Sequence, residues 1–145
     1  MKLLRETIRK LIQEAMSDNI LDFLGSLDSE YDHLRTNQYG TDIFDFKWTD
    51  SCRVEFGIAI TENQEVHIKY IETIGDDCLR KGYASRSMKH LLFILDTYNL
   101  SAILEVESFG DTGMEEDDLS QWYKSMGFKY VRDADGFDGM RRDPQ

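Results

Sequence analysis

Prolines, cysteines and long apolar runs are scarce in this chain of 145 residues, and each absence excludes a class of protein. The single proline is Pro144, and no Pro/Ser-rich linker or internal repeat divides the sequence, so one domain is expected. No apolar run is long enough to span a bilayer and none resembles a secretory signal, which favours a cytoplasmic protein that binds no membrane. Cys52 and Cys78 lack metal-type spacing, so we predict free thiols in a reducing compartment and no metal site.

Basic residues are also in the minority. The chain contains 17 Lys and Arg but 28 Asp and Glu, which gives a net charge of -11. Because phosphates would be repelled, this excess argues against duplex nucleic acid as a partner. It is compatible with a cationic substrate, although a requirement for solubility explains such a charge equally well. Residues 1–16 differ from the rest, since they carry +2 and leave -13 for residues 17–145.

The first sixteen residues show the spacing of an amphipathic helix. The apolar positions are Leu4, Ile8, Leu11, Ile12 and Ala15, and they predict a helix over residues 2–16. This basic helix either packs on the rest of the protein or forms an extension. The stretch MKLLRETIRKLIQEA is similar to short basic N-terminal helices of large tailed bacteriophages, which act as packaging or processing signals. That resemblance implies a phage-encoded protein in the host cytoplasm, with its main domain over residues 17–145.

Three segments in the middle of the chain alternate apolar and polar residues, as half-buried strands do. They are TDIFDFKW, CRVEFGIAI and EVHIKYIETI, and the turn TENQ separates the last two. We predict an antiparallel meander from this alternation.

Helical spacing returns after Gly82. The stripe comprises Ala84, Met88, Leu91, Leu92 and Leu95, and it predicts a helix that begins near this glycine. A shorter helix is predicted over residues 18–27, loosely bounded by Gly25, whereas residues 26–40 show no clear period.

The C-terminal third contains two kinds of signal. SAILEVES and the pair GFKYV and GMRR predict strands, the last two joined by a turn at Asp135-Gly136. Asp118 with Gln121 resembles a capping box for a short helix through LSQWYKSM. The element order predicts a single α+β domain in which helices flank a mixed sheet.

The stretch CLRKGYASRSMKHLL places positive charge where a helix begins. A helix N-terminus carries partial positive charge and unpaired N–H groups, so the basic Arg80 and Lys81 beside it indicate an anion between them. Gly82 would let the backbone approach that anion closely. The alternative is a helix start with a glycine for geometry and two solvated bases, because a short glycine motif is a weak signal.

Two motifs in this part of the chain resemble the GNAT superfamily of N-acetyltransferases. In LRKGYA, Gly82 and Ala84 match the family's pyrophosphate-binding motif, whereas Leu79 replaces its first Gln or Arg. In WYKSMGFKY, the matching residues are Tyr123, Gly127 and Phe128. Seven residues before that tyrosine, where the family often has Asn, this chain has Glu116. The resemblance covers roughly residues 41–143 and implies a mostly antiparallel central sheet flanked by helices.

The resemblance implies a cofactor and a site. Acetyl-coenzyme A would lie between two splayed strands, residues 66–74 and 102–108, with its pyrophosphate on residues 80–86. The residues of that loop are Arg80, Lys81, Gly82, Tyr83, Ala84, Ser85 and Arg86. The backbone N–H of Ile74 would stabilise the developing oxyanion.

Two side chains are candidates for proton transfer. By the family pattern Tyr123 would be the general acid for the leaving thiolate, and its alternative role is that of a core aromatic. Glu72 is the candidate base, because it interrupts an apolar strand face where a carboxylate is costly unless paired or functional. A β-bulge would instead turn Glu72 outward.

The expected activity is transfer of an acetyl group from acetyl-coenzyme A to a primary amine by direct attack. The acceptor would be a cationic small molecule or peptide, which the sequence does not identify, and the oligomeric state is equally open. Two alternatives remain: a catalytically inactive GNAT-like binding module, and an acidic protein that binds basic partners.

Overall fold

The computed structural model describes residues 17–38, 40–106, 116–132 and 138–145. The helix predicted over residues 2–16 and the turn predicted at Asp135-Gly136 lie outside these ranges. The described part is a mixed α+β structure with one seven-stranded sheet, so the predicted α+β class is confirmed.

The described chain contains three helices and seven strands. The helices are α1 (Asp18–Glu30), α2 (Tyr83–Thr97) and α3 (Glu116–Ser125). The strands are β1 (Asp32–Thr36), β2 (Asp42–Lys47), β3 (Arg53–Ile60), β4 (Val66–Ile74), β5 (Ala102–Leu104), β6 (Lys129–Arg132) and β7 (Asp138–Arg142).

The strand order in the sheet is β1-β2-β3-β4-β5-β7-β6. Strands β4 and β5 pair in parallel, and the other five neighbouring pairs are antiparallel. The predicted meander is therefore confirmed as β2, β3 and β4. The closing strands are confirmed as the antiparallel pair β6 and β7.

The core lies between the central strands and the helices α1 and α2. Val54, Phe56 and Ile58, which alternate along β3, are fully buried. They belong to one cluster with residues of both helices, among them Phe23 of α1 and Met88 of α2. Helix α2 packs on β3 and β4, and α1 packs on β1 and α2. The predicted apolar stripe of α2 is thus its buried face.

Four predicted boundaries differ from the structure. Helix α1 continues through Gly25 to Glu30, and β1 lies within residues 26–40, where no period was found. Strand β5 is shorter than SAILEVES, because it ends at Leu104. Helix α3 begins at Glu116, so Asp118 lies inside its first turn and is not its N-cap.

An ion pair between the buried Arg142 and the half-buried Asp96 joins the C-terminal turn of α2 to β7. Arg142 donates from both terminal nitrogens to the carboxylate of Asp96, at 2.7 and 2.9 Å. Its Nε donates to the carbonyl oxygen of Met126 at 2.9 Å. Hydrogen bonding from Arg142 holds the pKa of Asp96 below its ordinary value. The pair therefore ties the end of α2 to the last strand and to the turn after α3.

Replacing Asp96 with Ala should lower the free energy of unfolding by about 3 kcal/mol, because it leaves the buried guanidinium of Arg142 without its counter-ion. The matched control is Asp143→Ala, which breaks an exposed pair with Arg141 and should cost less than about 1 kcal/mol. Urea unfolding of both variants measures the difference. Equal losses in the two variants would contradict the assigned role.

The Asp96 contribution should also depend on pH. The pKa of Asp96 is lower in the folded than in the unfolded chain. Its contribution to the free energy of unfolding is therefore fully present above its ordinary pKa of about 4 and is lost as the pH falls through the depressed value. The stability difference between the wild type and Asp96→Ala should therefore shrink during acid titration. A constant difference down to about pH 2 would contradict this.

Candidate functional site

The two parallel strands in the middle of the sheet pair at two positions only. Val66 pairs with Ala102 and His67 with Ile103, whereas β4 continues to Ile74. Beyond these pairs, the β5-facing edge of β4 has no strand partner among the described residues. Ligands of sheets with parallel strands bind outside the carboxyl ends of those strands. The carboxyl end of β4, with this unpaired edge, is therefore the candidate binding site.

The loop of residues 75–82 leads from β4 to the N-terminus of α2. Gly82 is the N-cap, with φ of 78° and no side-chain capping bond. A side chain there would meet open space, since the nearest atom to a Cβ would be Nε of Arg86 at 3.9 Å. The N–H groups of Tyr83, Ala84 and Ser85 have no acceptor within the helix. An anion placed over Gly82 would satisfy them.

The cations of the loop are available for such an anion. Arg80 and Lys81 are exposed, and neither of their side chains forms an ion pair or hydrogen bond with a described residue. Arg80 and Gly82 both have positive φ, 64° and 78°, whereas Lys81 between them does not. Alternating left-handed and right-handed backbone conformations make concave groups of N–H donors that bind anions. The structure thus places the predicted loop residues between the carboxyl end of β4 and the N-terminus of α2.

Arg86 holds the loop against two aromatic rings. Its Nη2 donates to the carbonyl oxygen of Lys81 at 3.0 Å, and its Nε to that of Gly82 at 3.4 Å. The guanidinium carbon lies 4.8 Å from the ring centre of Trp48 and 5.2 Å from that of Tyr83. These contacts fix Arg86 beside the helix N-terminus, where its charge adds to the loop.

Trp48 is a site residue that the sequence did not identify. Its ring stacks on Tyr83 at 5.6 Å, and its Nε1 donates to Ser87 Oγ at 2.8 Å. Trp48 continues the apolar alternation of Phe44 and Phe46, so the pattern predicts only that it lies on the buried face of a strand. Its position at the end of that strand was the only indication that it could contribute to a site.

A disulfide joins the loop to the turn between β2 and β3. Cys52 and Cys78 are bonded, with 5.5 Å between their Cα atoms, so the prediction of free thiols is wrong. Arg53 pairs with Ile74, and this antiparallel register brings together the residue before β3 and the loop after β4. Cys78 therefore anchors the loop to this turn.

Tyr123 lies buried on α3, close to the start of α2. Its ring centre is 5.0 Å from that of Trp122 and 5.8 Å from that of Phe128. Trp122 in turn donates from Nε1 to Ser85 Oγ at 2.9 Å, which ties α3 to the first turn of α2. Burial raises the pKa of Tyr123 to about 12, and its hydroxyl makes no hydrogen bond with any described residue.

Glu72 points away from the core because β4 contains a bulge. Gly57 pairs with Tyr70 and Ile58 with Ile68, so Lys69 is an extra residue. After the bulge Ile71 occupies the buried face and Glu72 is exposed. The interpretation that placed Glu72 on the inward face was wrong, and the structure adopts the bulged alternative. Its role as base stays a prediction.

The face that carries Glu72 contains a second carboxylate and a tyrosine. Glu55 pairs across the strands with Glu72 and accepts a hydrogen bond from the Tyr70 hydroxyl at 2.8 Å. Burial and then this bond raise the pKa of Tyr70 above its ordinary value. Tyr70 lies against Gly57, where an added Cβ would meet its ring at 2.6 Å. Ile74, the predicted oxyanion donor, is half-buried and ends β4.

Comparisons with known proteins add little. No family model matches the chain, and no curated protein matches it. Among solved structures, the chain is similar to the crystal structure of the anti-CRISPR protein AcrVA5. The two share 20% identity with a TM-score of 0.49, over 68% of this chain and 96% of that one.

Within the described ranges, no group of three or more His, Cys, Asp or Glu side chains could hold a metal ion. None of the helices α1, α2 and α3 is long and apolar enough to cross a membrane.

Replacing Tyr123 with Phe should change the free energy of unfolding by less than about 1 kcal/mol at neutral pH, because no hydrogen bond to a described residue is lost. Tyr123→Ala is the control and should cost about 3 to 5 kcal/mol through the cavity it leaves. Chemical denaturation measures both. A large loss in the Phe variant would show that the hydroxyl has a structural partner.

The same hydroxyl should make stability fall at high pH. With a folded pKa of about 12 and an unfolded value of about 10, the unfolded chain loses this proton first as the pH rises. Stability should therefore decrease between these two values, and the decrease should be smaller in Tyr123→Phe. Identical alkaline profiles for the two proteins would contradict the raised pKa.

Proposed function

We propose that this protein is a GNAT-like N-acetyltransferase, which binds acetyl-coenzyme A in the cleft between β4 and β5 and acetylates a primary amine. The observation that carries the proposal is the start of α2. There a glycine with positive φ, the N–H groups of the first helical turn and the side chains of Arg80 and Lys81, which have no partner among the described residues, follow the carboxyl end of β4. These residues fit a pyrophosphate, because donors and positive charge surround open space.

The remaining residues fit the chemistry of acyl transfer. Attack by the amine on the thioester carbonyl places negative charge on its oxygen, which a backbone N–H at the end of β4 would stabilise. Ile74 is the candidate. The acceptor would be a cationic amine, which must lose a proton before it attacks. Glu72 is the candidate that takes this proton, directly or through water.

Tyr123 would act on the leaving group. With a pKa of about 12, the phenol stays protonated at neutral pH, whereas a thiol has a pKa of about 8.5. Complete proton transfer from Tyr123 to the thiolate is therefore uphill. We expect the hydroxyl to stabilise the thiolate mainly as a hydrogen-bond donor, which its lack of a described partner leaves it able to do.

The cofactor site is tested by thermal unfolding with and without acetyl-coenzyme A. At about 100 times its dissociation constant, the ligand should stabilise the wild type by about 2.7 kcal/mol. The variant Gly82→Glu should lose this shift, because its carboxylate would occupy the space proposed for phosphate. The matched control is Gly40→Glu, since Gly40 has the same φ of 78° and open surroundings in the turn before β2. It should retain the full shift.

The outcomes separate the candidate functions. A shift lost only in Gly82→Glu, together with release of free thiol in the presence of an amine, supports the enzyme. Binding without thiol release from any amine would instead indicate a GNAT-like binding module. The absence of a shift in the wild type at millimolar ligand would refute the proposed cofactor site.

The base is tested with Glu72→Gln. If Glu72 takes the proton from the amine, the variant should lower kcat by about 10²-fold or more at neutral pH, and the loss should shrink as the pH approaches the amine pKa. Glu62→Gln, at an exposed position in the turn before β4, is the control. A pH-independent effect would assign Glu72 to substrate binding instead.

A further inference from the structure

We infer that the Cys52–Cys78 disulfide controls the affinity of the loop of residues 75–82 for its anionic ligand, so that reduction by a dithiol weakens binding. This inference rests on the proposed acetyl-coenzyme A site and states how ligand binding at that site is regulated. Its physical basis is the position of the disulfide, which is the covalent link between the loop and the turn before β3.

The disulfide lies close to the ligand-binding end of the loop. Cys78 is four residues before Gly82. Both cysteines are buried, with 1% of Cys78 and 6% of Cys52 exposed. Near the start of the loop, Gly75 has a positive φ of 124°, and a Cβ on it would clash with the carbonyl oxygen of Ser51. The loop therefore packs tightly against the turn of residues 48–52 at its first half.

The rest of the loop has few other attachments. Asp76, Asp77, Leu79, Arg80 and Lys81 are all exposed. At the far end, Arg86 binds the carbonyl oxygens of Lys81 and Gly82. Among the described residues, the loop is thus held by the disulfide near its centre and by Arg86 at its end. Without the disulfide, ordering of the loop would oppose ligand binding.

The same turn also carries the aromatic support of Arg86. Trp48 stacks on Tyr83 and lies under Arg86. It precedes Cys52 by four residues, and its backbone N–H donates to the carbonyl oxygen of Cys52 at 3.0 Å. Cleavage of the disulfide would loosen both attachments of the loop together. This is why we expect an effect on affinity as well as on stability.

The redox step is a thiol–disulfide exchange with a dithiol. A thiolate of the dithiol attacks one sulfur, and the other protein sulfur leaves as a thiolate. The second thiol of the reductant then displaces the first protein sulfur and closes its own disulfide. Two electrons and two protons pass to the protein, which gains two thiols.

Binding and oxidation must be coupled in both directions. If the oxidised protein binds the ligand more tightly by some factor, the bound ligand favours the oxidised protein by the same factor. Coupling between sites is typically about 5- to 150-fold, and we expect about tenfold here. Saturating ligand should therefore shift the dithiol-to-disulfide ratio needed for half-reduction by about tenfold.

The experiment compares the affinity of desulfo-coenzyme A for the oxidised and for the dithiothreitol-reduced wild-type protein. This ligand has no thiol that could exchange with the disulfide. Titration of thiols in denaturant should find none in the oxidised chain and two in the reduced chain, and calorimetry should give about tenfold weaker binding after reduction. The double variant Cys52→Ala/Cys78→Ala should bind as the reduced wild type does and should not respond to dithiothreitol.

Three results would overturn the inference. Equal affinities of the oxidised and reduced chains would make the disulfide structural only and would leave the proposed function intact. Two free thiols before reduction would show that the disulfide does not form. Failure of desulfo-coenzyme A to bind either form would refute the proposed cofactor site and the inference with it.

Discussion

The parallel pairing of β4 with β5 is the constraint on which the candidate site depends. Parallel neighbours require a crossover, and here α2 makes it, so the helix starts at the carboxyl end of β4. The two strands pair at two positions only, so most of β4 has no strand partner on that side among the described residues. The position of the glycine turn and of its loop at the carboxyl end of β4 is therefore a consequence of one topological feature. The bidentate Asp96–Arg142 pair then fixes the other end of α2 to β7.

Local periodicity explains what the sequence could predict. Strands β2, β3 and β4 and helix α2 each bury one face in a common core, so burial imposes a period of two or of 3.6 on their residues. Strand β1 was missed because DHLRT has no such alternation and pairs only with β2 at the edge of the sheet. Its existence depends on hydrogen bonds with a neighbouring strand, which leave no periodic pattern in its own residues.

The details of the site depend on register, which the sequence does not display. One extra residue, Lys69, moves Glu72 from the buried face to the exposed one, and a period-two pattern interrupted in this way gives no sign of where it slips. The disulfide was missed for a related reason. Cys52 and Cys78 are separated by 26 positions, and only the pairing of Arg53 with Ile74 makes them neighbours. The loop motif, by contrast, is local and was predicted correctly as a helix start.

The charge of the loop can be reconciled with the acidity of the whole chain by the range of electrostatic forces. At physiological salt the Debye length is about 8 Å, so an anion at Gly82 interacts mainly with nearby groups and only weakly with the total charge of -11. Arg80, Lys81 and Arg86 are within a few residues of that position, and the helix N-terminus adds its partial positive charge. In the proposed function, the acidic remainder would attract the cationic amine while this loop would bind the phosphates. A helix start that concentrates positive charge against its own dipole is unfavourable alone, and an anionic ligand is what would make it favourable.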